Sequence, residues 1–189
     1  MGEIASRSQL RWSFLRWSFL RWAFVTVPFV VLLGFVSGQL VPSGDANPWY
    51  AALVKPAGTP PGWVFPVVWT SLYIMLGLAL ALILNARGSR GRGLAITLFL
   101  VQLALNLSWT PVFFGAGKIQ LALWIIVAML ILSIAVTILF ARIRKPAAWL
   151  MVPYMVWISY AGCLTWGIGQ LNPDAEGVAR PAPATQIQL

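Results

Sequence analysis

Five long stretches of the chain contain no charged residue and are dominated by apolar side chains. They cover residues 22–44, 56–86, 93–117, 119–141 and 146–173. A helix needs about 20 apolar residues to cross the roughly 30 Å hydrocarbon core of a bilayer. Each stretch is long enough, so the pattern predicts an all-α membrane protein, a five-transmembrane-helix bundle. We place its helices near 22–40, 64–85, 94–114, 119–141 and 147–170.

The segments outside the five spans differ in composition. Residues 10–24 read LRWSF, LRWSF and LRWAF, a five-residue repeat, and residues 1–21 are predicted to be a basic, Trp/Arg-rich interfacial lead-in among lipid headgroups. The first apolar stretch is too long for a typical signal peptide, which favours an uncleaved helix. Residues 22–171 form the predicted five-helix transmembrane domain, and residues 172–189 a disordered tail rich in Pro and Ala. The connection 41–63 carries five prolines and three aromatic residues, which favours a stiff, ordered cap.

The basic residues indicate how the bundle is oriented. With the N-terminus inside, ten of the thirteen Lys and Arg residues lie on the inner side. These ten are Arg7, Arg11, Arg16, Arg21, Arg87, Arg90, Arg92, Arg142, Arg144 and Lys145, and the outer side holds Lys55, Lys118 and Arg180. The positive-inside rule therefore predicts the N-terminus inside and the C-terminus outside. The net charge of +9 then reflects topology and not a nucleic-acid partner.

Composition excludes several classes of chemistry. The chain has no His, and Cys163 is its single cysteine, so the sequence predicts no metal site and no required cofactor. None of the five predicted helix interiors contains Asp, Glu, Lys or Arg, which disfavours ion pumps and proton relays. No nucleophile–base pair is evident either, and binding is predicted rather than ordinary catalysis.

Aromatic and amide side chains of three spans fall on shared faces. The residues at helical spacing are Gln102, Asn106, Trp109 and Phe113 on the third span, Trp69, Tyr73 and Gly77 on the second, and Tyr154, Trp157, Ala161 and Leu164 on the fifth. At 1.5 Å per residue, these faces meet in the outer half of the bundle beneath the 41–63 connection. We expect a pocket there.

Simpler roles for some of these residues stay open. Asn106 and Gln102 either bond neighbouring helices, for about 0.6 kcal/mol on average, or line the pocket. Trp69, Trp109 and Trp157 lie deeper than an interfacial aromatic belt requires, which favours the pocket. Gly34 and Gly38 form a GxxxG motif that fits close packing within the chain as well as dimerisation.

Three segments together carry a recognisable signature. They read WYAALVKPAGTPPGWVFPVVWTSLYIMLGLALAL at 49–82, QLALNLSWTPVFFGAGK at 102–118 and PYMVWISYAGCLTW at 153–166. This combination closely resembles the translocator protein / tryptophan-rich sensory protein (TspO/MBR) family, over about residues 25–172.

The resemblance implies a multi-pass membrane protein, often a homodimer, that binds porphyrins such as protoporphyrin IX and other apolar ligands under the first loop. The positions matching the family's ligand site are Tyr50, Trp69, Asn106, Trp157, Ala161 and Leu164; Tyr73 and Trp109 join them from the face-and-depth argument. Cholesterol binding is in question, because Trp166 and Gln170 stand where the sterol segment of animal members has a Tyr and a basic residue.

Three functional hypotheses follow from the residues and the resemblance. The first is a receptor or carrier for porphyrin, whose lack of His predicts binding without axial iron ligation. The second is light-dependent oxidative degradation of the bound porphyrin, a role that the resemblance assigns to Trp69 and Trp157. The third is a membrane scaffold whose partner contacts are regulated by the ligand.

Overall fold

The computed structural model describes residues 7–176, with side chains from Ser18 onward, and every regular element in that range is helical. The helices are α1 (Arg7–Gln39), α2 (Pro48–Ala52), α3 (Val64–Asn85), α4 (Arg92–Thr110), α5 (Ile119–Ile143) and α6 (Lys145–Leu171). Five of them, all except α2, are long and apolar enough to cross a membrane. The prediction of an all-α bundle with five spans is confirmed, whereas the sides on which the termini lie stay a prediction.

The first helix is much longer than the span predicted at 22–40. It begins at Arg7 and has 33 residues, because nothing between Arg7 and Pro28 interrupts a helix: the segment contains neither Gly nor Pro. At 1.5 Å per residue α1 is about 50 Å long, well beyond a hydrocarbon core of about 30 Å. The placement of residues 1–21 among headgroups stays a prediction.

The spans pack in an order that differs from their order in the chain. Helix α1 packs against α3, α3 against α6, α6 against α5 and α5 against α4, while α1 and α4 touch only lightly. The half of the bundle remote from residues 41–63 is a closely packed core. There the rings of Phe99 and Phe140 stack with centroids 5.9 Å apart, and Leu76 and Ile83 are fully buried.

Helices α1 and α3 are joined at a point of close backbone approach. A Cβ atom at Gly77 would lie 2.6 Å from the Cα of Val27, and the Thr26 hydroxyl donates a 2.8 Å hydrogen bond to the carbonyl of Gly77. Farther along α1, the Tyr73 ring occupies the place of a side chain at Gly34. The first glycine of the GxxxG motif is therefore used for packing within the chain.

The connection between α1 and α3 is folded over the end of the bundle, and we call residues 41–63 the roof. Asn47 organises it: its side-chain oxygen accepts from the amide of Tyr50 at 3.1 Å. Its amide nitrogen donates to the carbonyls of Pro42 and Phe114, both at 2.9 Å. One buried side chain thus caps α2, closes the loop and ties it to the segment after α4.

Residues after α6 also hold the roof. Asn172 accepts from the amide of Val54 and donates to the carbonyl of Val54, each at 2.9 Å. The Trp49 indole donates to the carbonyl of Ala175 at 3.2 Å. The segment predicted as a tail therefore begins with residues that contact the roof, while residues 177–189 of that prediction lie outside the described residues.

Candidate functional site

A large cavity of about 1040 Å³ lies between the spans directly under the roof. Its lining includes all eight residues singled out from the sequence: Tyr50, Trp69, Tyr73, Asn106, Trp109, Trp157, Ala161 and Leu164. The structure therefore brings them together at one place, although a role in binding stays a prediction for each. Ligand pockets typically measure about 300–1,000 Å³, so this cavity is at the upper end of that range.

One wall of the cavity is a cluster of aromatic rings from α3 and α6. Trp69 stacks on Tyr73 with centroids 5.5 Å apart. The Trp69 and Trp157 rings are perpendicular with centroids 6.5 Å apart, and Phe65 packs edge-on against Trp157 at 5.9 Å. Phe65, Trp69 and Tyr73 follow one another at intervals of four residues, so their rings share the face of α3 that meets Trp157 of α6. The wall offers apolar faces on which a planar ligand can stack.

The floor of the cavity is a chain of hydrogen bonds between side chains. The Tyr73 hydroxyl donates to the side-chain oxygen of Asn106 at 2.8 Å, and the Asn106 amide donates to the Tyr154 hydroxyl at 3.2 Å. Gln102 also donates to the Tyr154 hydroxyl. Asn106 lines the cavity and bonds two neighbouring helices, so both interpretations hold for it. Gln102 is fully buried behind the floor, where it bonds α4 to α6.

The segment after α4 departs from the predicted helix at 94–114. The α-helix ends at Thr110, and Pro111–Gly115 form one wider π-helical turn in which the amide of Ala116 donates to the carbonyl of Pro111 at 2.9 Å. Pro111 lacks an N–H, so the regular helical bond at that position is lost. The wider turn places Phe113 parallel to Trp109, with centroids 4.8 Å apart and 9° between planes.

Two polar atoms in the cavity wall have no hydrogen-bond partner among the described residues. They are the indole nitrogens of Trp109 and Trp157, and both are buried. A buried donor without an acceptor costs about 1–3 kcal/mol. Both residues line the cavity, but each nitrogen is closed off even from a molecule the size of water. The two rings therefore contribute apolar faces, and not hydrogen-bond donors, to the cavity surface.

The charges of the cavity are confined to its mouth. Of the described residues that line it, only Asp45 and Lys55 carry a charged side chain. The Lys55 ammonium lies 3.1 Å from a carboxylate oxygen of Asp45 and 4.8 Å from the centroid of the Tyr50 ring. The ammonium stands at the roof, where it can meet an anionic group of a ligand whose apolar part fills the interior.

Sequence reasoning missed several lining residues. Helix α5 contributes Ile126 and Met129, and the π-helical turn contributes Phe114. The fourth predicted span is mostly apolar, and its few polar or aromatic residues, among them Gln120 and Trp124, do not line the cavity. The Met129 side chain lies beside the hydrogen-bonded floor, with its sulfur 3.9 Å from the Tyr154 hydroxyl oxygen.

The fold and the site together define a multi-pass helical membrane protein with an internal, mostly apolar cavity under a proline-rich roof. Comparison with known proteins agrees with this class. The model of the TspO/MBR family matches residues 12–171, and the chain belongs to this family.

Several relatives cover most of the chain. It is 42% identical over 148 residues to the Tryptophan-rich protein TspO of Chlorobaculum tepidum, and this alignment spans 75% of the present chain and 89% of the relative. It is 39% identical over 124 residues to the Tryptophan-rich sensory protein of Cereibacter sphaeroides, an alignment of 66% of this chain and 77% of that relative. The human Translocator protein is 33% identical over 153 residues, with 78% and 89% covered.

Proposed function

We propose that this protein is a membrane-embedded receptor or carrier for porphyrins such as protoporphyrin IX. The observation that carries the proposal is the large cavity under the roof, one wall of which is built from the rings of Trp69, Tyr73 and Trp157. A planar, largely apolar macrocycle can stack on such a wall and fill such a cavity.

The distribution of charge supports a ligand that is apolar at one end and anionic at the other. Trp69, Trp157 and Ala161 line the uncharged interior, and Lys55 is at the mouth. A porphyrin that enters with its ring innermost keeps its propionates near this ammonium. The chain contains no imidazole, which favours the metal-free macrocycle as a ligand at least as much as its iron complex.

A space-filling substitution tests where the ligand binds. Ala161 lines the cavity and is half-buried, so Ala161→Trp fills part of it, whereas Ala104→Trp adds the same side chain at an exposed site on α4. We expect protoporphyrin IX, followed by its own absorption and fluorescence in lipid nanodiscs, to bind the Ala161 variant at least about tenfold more weakly. Equal affinities of the two variants would show that the ligand binds elsewhere. Absence of saturable binding to the unaltered protein would overturn the proposed function.

A second candidate function is light-dependent degradation of the bound porphyrin. It is favoured by the contact between the two indoles of Trp69 and Trp157, whose centroids are 6.5 Å apart in the cavity wall. In this hypothesis an indole gives one electron to the photoexcited ring, and the reduced ring passes it to dioxygen as superoxide. The ring then returns one electron to the indole radical and combines with the superoxide, so that the macrocycle is oxygenated by dioxygen and the indole is restored. The wall then supplies two adjacent donors.

A paired aromatic substitution separates degradation from binding. Phe keeps an aromatic face but is a much poorer electron donor, so the Trp69→Phe, Trp157→Phe protein should retain affinity and lose light-dependent bleaching of the porphyrin. Trp149→Phe is the control, since Trp149 is 72% exposed and lies outside the cavity. Bleaching at an unchanged rate in the double variant would exclude these indoles as donors.

A further inference from the structure

Helices α1 and α3 separate progressively toward the roof. They are in backbone contact at Gly77, where a Cβ atom would lie 2.6 Å from the Cα of Val27. Nearer the roof, at Gly34, the ring of Tyr73 fills the space between them. One turn beyond, nothing lies within 4 Å of the position that a Cβ would take at Gly38. A gap therefore widens between the two helices over the outermost turns of α1.

The cavity reaches the surface of the bundle through this gap. The cavity-lining residues that are exposed and belong to the spans are Phe35, Gln39, Pro66 and Thr70, all on α1 or α3. Every lining residue contributed by α4, α5 or α6 is buried or half-buried. The cavity is thus closed toward three spans and open along the remaining side. We call this opening the α1–α3 slot.

The slot changes in character along its length. Phe35 and Pro66 flank it at the level of the spans, and Phe35 is 63% exposed. Toward the roof, its edges continue into Ser43, Asp45 and Lys55. The lower part is mostly apolar, because the Thr70 hydroxyl is bonded to the carbonyl of Pro66 in its own helix, and it belongs at hydrocarbon depth. The upper part is polar and belongs at headgroup depth.

Away from this mouth, the roof is tied to α6 and to the residues that follow it. The Tyr160 hydroxyl donates to the carbonyl of Gly58 at 2.6 Å, and Asn172 bonds both backbone groups of Val54. A ligand that entered through the roof would have to break several of these bonds together. Entry through the slot breaks none of these bonds, because the exposed Phe35 ring only has to rotate.

We propose that the α1–α3 slot is the entrance through which an amphipathic, anionic ligand dissolved in the bilayer reaches the cavity from the side. The apolar body passes between Gly38 and Thr70 while the carboxylates remain at headgroup depth and meet Lys55. The Phe35 ring is the gate. This inference rests on the proposed function, since it concerns the route to the same cavity.

Transfer kinetics test the route. Phosphatidylcholine vesicles loaded with protoporphyrin IX are mixed with protein in proteoliposomes, and quenching of Trp fluorescence is followed with time. Gly38→Phe narrows the slot and should slow both entry and release by about tenfold, whereas Phe35→Ala should accelerate both, with the dissociation constant changed less than about twofold. Controls are Gly93→Phe, at an open site outside the cavity, and Phe24→Ala, whose ring is 79% exposed on the same helix.

The outcomes separate the route from the function. Slower exchange in the Gly38 variant at constant affinity, or faster exchange in the Phe35 variant, supports the slot. Unaltered rates in both variants overturn the slot and leave porphyrin binding intact. A change of release rate alone, with weaker affinity, would make Gly38 a contact of the bound ligand and would also overturn the slot. Absence of saturable binding to the unaltered protein defeats the proposed function itself.

Discussion

The Tyr73 hydroxyl donates a 2.8 Å hydrogen bond to the side-chain oxygen of Asn106 and so joins α3 to α4 across the floor of the cavity. The two helices make few other contacts. The same asparagine donates to Tyr154 on α6, so three spans are linked through one amide. The orientation of Asn106 toward the cavity is fixed by these two tyrosines.

Removing the Tyr73 hydroxyl should destabilise the bundle modestly. Tyr73→Phe leaves the oxygen of Asn106 without this donor, and hydrogen bonds between membrane helices contribute about 0.6 kcal/mol on average and at most about 1.7. We expect a loss in that range in the free energy of unfolding in mixed micelles. Ser159→Ala, which removes an exposed hydroxyl bonded only within its own helix, should have almost no effect. Equal losses would show that the floor bond contributes nothing.

The close approach of α1 and α3 predicts a strong effect at Gly77. The added methyl group of Gly77→Ala would meet the backbone of Val27 at 2.6 Å, and backbone cannot rotate away as a side chain can. Such overpacking costs about 1–3 kcal/mol. Gly93→Ala, where the space is open, should instead stabilise α4 slightly through helix propensity. Thermal unfolding in detergent compares the two, and an unaltered Gly77 variant would mean that the helices are not in contact.

Lys55 should matter for ligand recognition and little for stability. Its ion pair with Asp45 is at the surface, where such pairs contribute about 0–1 kcal/mol. In Lys55→Met the affinity for protoporphyrin IX should fall while that for its dimethyl ester should not, because only the free acid can pair with the ammonium. Titration of both compounds checks this, and Asp45→Asn, which frees the ammonium, should raise the affinity for the acid. A parallel decrease for acid and ester would exclude a charge contact.

Asn172 should control how firmly the roof is held. Its side chain bonds both backbone groups of Val54 and also donates to the carbonyl of Ile168 at 2.8 Å. Asn172→Ala removes all three bonds, so limited proteolysis should cut the roof several times faster than in the unaltered protein. Gln170→Ala, an exposed neighbour on α6, serves as the control. Identical cleavage rates would show that the roof holds without this tether.

The predicted orientation can be measured by labelling from one side of the membrane. In a Cys163→Ala background, a cysteine at Ser43 in the roof and one at Ser89 between α3 and α4 lie at opposite ends of the bundle. The positive-inside rule predicts that an impermeant maleimide added to intact cells labels position 43 and not position 89. The reverse result would invert the topology.

Much of the fold is predictable because a bilayer imposes simple requirements. Helix α3 begins and ends at the predicted residues, since Pro60, Pro61 and Gly62 precede it and Gly88 follows it. The extent of α1 was not predicted, because apolarity marks where a helix crosses lipid and not where it begins. The π-helical turn after Thr110 was also missed, since Pro111 signals a disrupted helix but not how the chain continues.

The cavity could be predicted on the helices that carry distinctive side chains. Trp69, Asn106 and Trp157 stand out from an apolar background, and their spacing gives both face and depth. Ile126 and Met129 do not stand out on α5, so their contribution depends on packing that sequence periodicity does not reveal. The side opening depends on how far apart α1 and α3 lie at Gly38, a distance that no residue type specifies.

The packed half of the bundle has a consequence for traffic across the bilayer. Below Asn106 and Tyr154, the stacked rings of Phe99 and Phe140 and the fully buried Leu76 fill the interior, and none of these three residues lines the cavity. A ligand that enters by the proposed slot therefore returns to the leaflet from which it came. If the protein binds porphyrin as proposed, this conformation exchanges it with one leaflet only, and delivery to the opposite face would require the interior to be repacked.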